Sequence, residues 1–168
     1  NHSIGREQRV KAKLQSLYDR ADGERRRAFD EQIAARRAKA ADSGDPGAFG
    51  RYLEYFGHLP GGDELRLALA ELARKQGNLL EAENLLRIAS PGDTETAGRA
   101  TAQLARLLVE AGRPREALVY ADRLIGEFAE RKVADDKTGR QAATELFPAG
   151  REAIERRHVW PSGKVDVV

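Results

Sequence analysis

At 168 residues the chain is long enough for one core-bearing domain, and its 33% charged and 40% apolar residues exclude a disordered tract. The absence of cysteine excludes disulfides and thiolate metal sites, and no apolar run approaches the ~20 residues of a membrane span. The formal net charge of +2 hides an asymmetry: residues 1–44 hold eleven Lys/Arg against seven Asp/Glu, residues 63–130 nine against twelve.

Residues 1–23 are expected to hold an amphipathic helix, because Val10, Leu14, Leu17, Tyr18 and Ala21 recur at helical spacing and Asp22-Gly23 should end it. The opening NHSIGREQRV lacks the apolar centre of a secretory leader, while the start at Asn1 rather than Met leaves a removed targeting segment open. A soluble chain is expected, and the compartment stays open between cytoplasm and periplasm. A weaker helix follows from Glu24 to about Ala41, carrying Phe29 and Ile33. The breakers DSGDPG at 42–47 should turn the chain into a short helix with Phe49, Tyr52, Leu53 and Phe56, closed by Gly57 and Pro60.

Two later stretches repeat. With Gly77 laid on Gly112, Leu69-Ala70 falls on Leu104-Ala105 and Glu81-Ala82 on Glu116-Ala117, at a constant offset of 35 residues. Each unit reads as a helix, a tight turn on glycine, and a second helix whose small alanine permits close approach. Gly112 suits the left-handed geometry that closes a helix, and Pro114 suits the first position of the next.

These residues resemble the tetratricopeptide repeat. Leu69-Ala70, Gly77 and Ala82 match its pattern in one copy; Leu104-Ala105, Gly112 and Ala117 match in the other. Pro60 stands where a preceding repeat would end. The chain departs from the family at the large residue near the repeat start, which is Arg66 in one copy and Thr101 in the other. It departs again at Ala129, where a closing proline is usual. The resemblance implies an all-α fold of antiparallel helical hairpins stacked as a short right-handed solenoid with helical caps. A degenerate first repeat would occupy 24–59, two repeats 60–130, capping helices 131–158, and an extended tail or linker to a following domain 159–168. The tail, with β-branched residues alternating after Pro161-Ser162-Gly163, also resembles, more faintly, bacterial proteins whose helical-repeat region precedes a β-propeller domain.

The chemistry-bearing residues are sparse. Asp135-Asp136 is the densest acidic pair, and is expected to cap a helix over Thr138–Phe147 rather than act as a catalytic pair. His2, His58 and His158 lack a ligand partner at helical spacing, and no serine stands in a nucleophile-elbow context. PGGDE at 60–64 precedes a helix but lacks the Lys and Ser/Thr of a phosphate loop, so it reads as a cap. Arg25–Arg27 and Arg36-Arg37 alternate with acids, reading as a solvated helix face rather than a nucleic-acid strip. No catalytic residue, metal or cofactor is expected.

The resemblance implies a partner-binding concave surface on the first helix of each pair. Leu67, Glu71, Arg74 and Lys75 would line it from one copy, and Arg99, Ala102, Gln103, Arg106 and Val109 from the other. Leu67 and Glu71 stand at two positions where the family's carboxylate clamp carries Lys or Asn, so that specificity is not implied. The expected function is a non-catalytic module binding a peptide or protein segment in this groove. The alternative is a spacer or oligomerisation segment, with Val10, Leu14, Leu17 and Tyr18 packing on another chain or a neighbouring domain.

Overall fold

The computed structural model describes residues 2–148, so the expectations for His158 and the tail at 159–168 lie outside the described residues. The described chain is mostly helical and falls into two compact units, Asn1–Ala89 and Ser90–Val168.

In the first unit, α1 (His2–Arg20), α2 (Gly23–Ser43) and α3 (Pro46–Phe56) precede α4 (Gly62–Lys75) and α5 (Leu79–Ala89). The breakers at 42–47 divide their tasks. Gly44 ends α2 in the left-handed region, and the Asp45 carboxylate accepts the Gly47 and Ala48 N–H groups to start α3 at Pro46. Tyr18, Ile33, Phe49, Tyr52, Leu59, Leu65 and Leu69 form the core. The Tyr18 ring meets Phe29 edge-on at 6.4 Å, and its hydroxyl donates to Asp30 at 2.8 Å. Tyr18 is therefore a core residue of its own unit, whereas Val10 and Leu17 of the same expected stripe stay 39% and 41% exposed.

PGGDE does hold the cap of α4, through its backbone. Gly61 is the N-cap of α4 with no side-chain bond, and Asp63 instead takes a hydrogen bond from Arg66 at 2.5 Å.

In the second unit, α6 (Glu95–Glu110) and α7 (Pro114–Gly126) form a helical hairpin. Residues 131–138, expected within capping helices, contain a β-hairpin instead: β1 (Lys132–Ala134) pairs antiparallel with β2 (Lys137–Thr138), and α8 (Gly139–Leu146) follows. Asp135 and Asp136 are its two loop residues, at φ 34° and 65°. A two-residue loop matching the strand twist needs positive φ at both positions, which Asp tolerates better than most residues. The cap of α8 is Thr138, whose hydroxyl accepts the Gln141 N–H while the Gln141 side chain accepts the Thr138 N–H. The acidic pair is thus a turn and not a cap.

The two helical hairpins close identically. After α4, the Gly77 N–H reaches Arg74 O at 3.0 Å and the Asn78 N–H reaches Ala73 O at 2.9 Å. After α6, the Gly112 N–H reaches Val109 O at 3.0 Å and the Arg113 N–H reaches Leu108 O at 2.8 Å. Both are Schellman closures, with glycine at φ 79° and 74° where a side chain would be strained. Ala82 and Ala117, the matched alanines, are both fully buried.

The core of the second unit gathers Ala97, Ala105, Leu124, Phe128, Val133 and Ala143. A Cβ on Gly98 would stand 2.8 Å from the Phe128 ring, so that glycine admits the aromatic against α6. Thr101, the polar departure from the repeat pattern, is fully buried and donates to Ala97 O at 2.7 Å.

Candidate functional site

One face of α6 carries Ala102, Gln103, Arg106, Val109 and Glu110, at the spacing of neighbouring helical turns. In the second unit this face borders a cleft of about 380 Å³, completed by Ala134, Asp135 and Lys137 of the β-hairpin and by Ala142, Glu145 and Leu146 of α8. The hairpin projects its turn to the cleft because buried Val133 anchors β1 in the core. The helix α8 presents Ala142, Glu145 and Leu146 from adjacent turns, and Ala142 and Leu146 join Ala143 against the core at the base of the cleft.

The cleft has aliphatic walls and a charged rim. Arg106 Nε donates to Glu110 at 2.9 Å, and Lys137 Nζ donates to Glu145 at 2.5 Å. The Lys137 bond, followed by its charge, holds the Glu145 carboxyl below its usual range, with Arg106 adding to the same direction. Each cation therefore has a carboxylate partner already. The side chains of Gln103 and Asp135 have no hydrogen-bond or ion-pair partner among the described residues. The arrangement can hold an aliphatic group while offering one amide and one carboxylate.

The structure brings Gln103, Arg106 and Val109 together with Ala102 at this cleft, and leaves Arg99 exposed on α6 but off it. The α4 residues behave differently. Leu67 is 3% exposed, so the expected partner-facing role is corrected: its side chain is removed from solvent. Arg74 donates from Nε and from a terminal nitrogen to the two Glu71 oxygens, each at 2.9 Å, and Lys75 lies 3.6 Å from the same carboxylate. The Arg74 bonds hold the Glu71 carboxyl below its usual range. The α4 cations thus form a local network on their own helix.

Sequence reasoning missed the hairpin and α8 contributions. The signal was present in KVADDKT, where two turn-forming acids separate Val133 and Ala134 from Lys137 and Thr138.

A second cavity, of about 440 Å³, lies in the first unit against Tyr18, Asp30, Arg37, Gly61 and Glu64. Its polar groups face one another: Tyr18 bonds Asp30, and Arg37 lies 3.7 Å from Glu64. Among the described residues no group of three or more His, Asp or Glu is placed to hold a metal, and no helix is long and apolar enough to cross a membrane. Comparison with protein-family models, curated proteins and solved structures gives no match to this chain.

Proposed function

We propose that the chain is a non-catalytic protein-interaction module built on tetratricopeptide-like hairpins, and that its second unit takes a segment of a partner protein into the cleft on α6. The observation that carries this reading is the convergence of Gln103, Arg106 and Val109 with the β-hairpin and α8 around one cleft. Its walls are aliphatic and its cations already paired, which suits recognition rather than reaction. A volume near the lower end for ligand pockets fits a few side chains of an extended segment.

Selection from a displayed library of random linear peptides tests the reading, with wild type and Val109→Arg as baits. Val109 is partly exposed at the end of α6, so the arginine should leave the helix content unchanged by circular dichroism. Enrichment of related peptides on the wild type, with at least about tenfold weaker binding to the variant, supports the cleft. Equal binding to both baits, or no enrichment, overturns it.

The second reading, an oligomerisation segment, draws on Val10 and Leu17, which are seven residues apart and half-exposed on α1. A dimer by light scattering that dissociates on Leu17→Glu would support it; a monomer at all concentrations would remove it.

A further inference from the structure

Resting on the peptide-binding reading of the cleft, we infer that its occupant is a basic, aliphatic segment: a Lys or Arg received by the Asp135 carboxylate, beside an aliphatic side chain lodged against Val109, Ala142 and Leu146.

The charge inventory of the cleft carries this. Its two cations, Arg106 and Lys137, close on Glu110 and Glu145 at 2.9 and 2.5 Å. An acidic ligand would have to compete with those carboxylates for cations they already neutralise. Three carboxylates stand against two cations, and the remainder is Asp135. Its neighbour Asp136 is held by Lys132 Nζ at 2.6 Å, whereas Asp135 has no partner among the described residues. Any segment that covers Asp135 removes water from an ionised carboxylate, which is unfavourable unless the segment brings a cation. A partner lacking one is therefore penalised, and a basic partner is selected on charge.

The remaining parts of the cleft agree. Ala102 and Ala142 are small, which leaves the depth of the cleft open for an aliphatic side chain, and Val109 and Leu146 flank it. Gln103 offers both a donor and an acceptor, the pair that a peptide unit of an extended chain presents. The turn that carries Asp135 is anchored through buried Val133, so the carboxylate is presented from a fixed base.

The peptide selection described above, extended to Asp135→Asn and Asp135→Lys baits, tests the inference. Wild type should enrich peptides with Lys or Arg next to Leu, Ile or Val. Asp135→Asn should bind those peptides several-fold more weakly and lose the basic preference, and Asp135→Lys should turn the preference toward Asp or Glu. Wild-type peptides that Val109→Arg abolishes, but that show no basic preference or bind Asp135→Lys equally, would overturn the inference and leave the cleft as the binding site. An empty selection would remove both. Helix content should match the wild type in both turn variants, and Asp135→Asn, which keeps a residue suited to positive φ, should keep the melting temperature as well, so that its lost binding reports on the carboxylate and not on folding.

Discussion

The hairpins α4–α5 and α6–α7 share a turn to within a tenth of an ångström in their closing hydrogen bonds, yet present different surfaces. In the first, Leu67 is buried and Arg74 and Lys75 share the Glu71 carboxylate along a single helix. In the second, the corresponding face of α6 borders an open cleft, because a β-hairpin and α8 stand beside it and leave the space between partly unfilled. The repeated motif fixes how a helix pair closes. What lies beside the pair fixes what it can bind.

The largest effect should come from breaking the second unit alone. Phe128 is fully buried among Ala97, Leu124 and Val133, so Phe128→Ala should destabilise by about 3–5 kcal/mol. Hydrogen exchange should show protection lost over 95–146 and the cleft with it, while the first unit's core amides keep theirs.

The shared turn can be sharpened next. Gly77→Ala and Gly112→Ala place a side chain at φ 79° and 74°, and each should cost about 1 kcal/mol in denaturant unfolding. No atom lies within 4 Å of a Cβ built at either site, so the two values should agree closely. A large inequality would mean that the turns are equivalent in form only.

Smaller again is Tyr52→Phe in the first unit. The Tyr52 hydroxyl is buried without a hydrogen-bond partner among the described residues. Removing it should leave stability unchanged or raise it by up to about 1 kcal/mol, as read from thermal melts.

The smallest effect separates the charged faces by pH. Glu71 and Glu145 both have lowered carboxyl pKa values, caused first by their bonds to Arg74 and Lys137. A lowered folded-state pKa contributes stability that is present above the ordinary carboxylate value and is lost as pH falls through the folded value. Glu71→Gln should therefore flatten the acid limb of the stability profile of the first unit, and Glu145→Gln that of the second. Because these pairs are partly exposed, Lys137–Glu145 more than Arg74–Glu71, high salt should shrink both effects, the second unit's more.

Much of the fold is legible in the sequence. Helical spacing located α1 to α7 within a few residues, and glycine followed by proline announced the close of α6 and the start of α7. Those signals are local: a period, a left-handed position, a missing N–H. The cleft is not local. Gln103, Arg106 and Val109 were visible as one helix face, but Ala134, Asp135, Glu145 and Leu146 come from 24 or more residues further on, and only folding brings them there. Asp135-Asp136 was misassigned for a related reason. Both a helix cap and a tight turn favour Asp, and the choice between them depends on whether Val133 is buried, a tertiary fact. Leu67 was misassigned because a position in a repeat pattern says which way a side chain points, but not what covers it.

Arg123 gives the second unit its real starting point. Its guanidinium donates to the carbonyls of Ser90 and Gly92, each at 2.9 Å, and to Glu127 at 2.6 Å. A fragment cut at Glu95, where α6 begins, would strip two acceptors from a half-buried cation, while one cut at Ser90 would keep them. The portable form of this unit, for grafting onto another protein or for isolated expression, therefore begins five residues before its first helix.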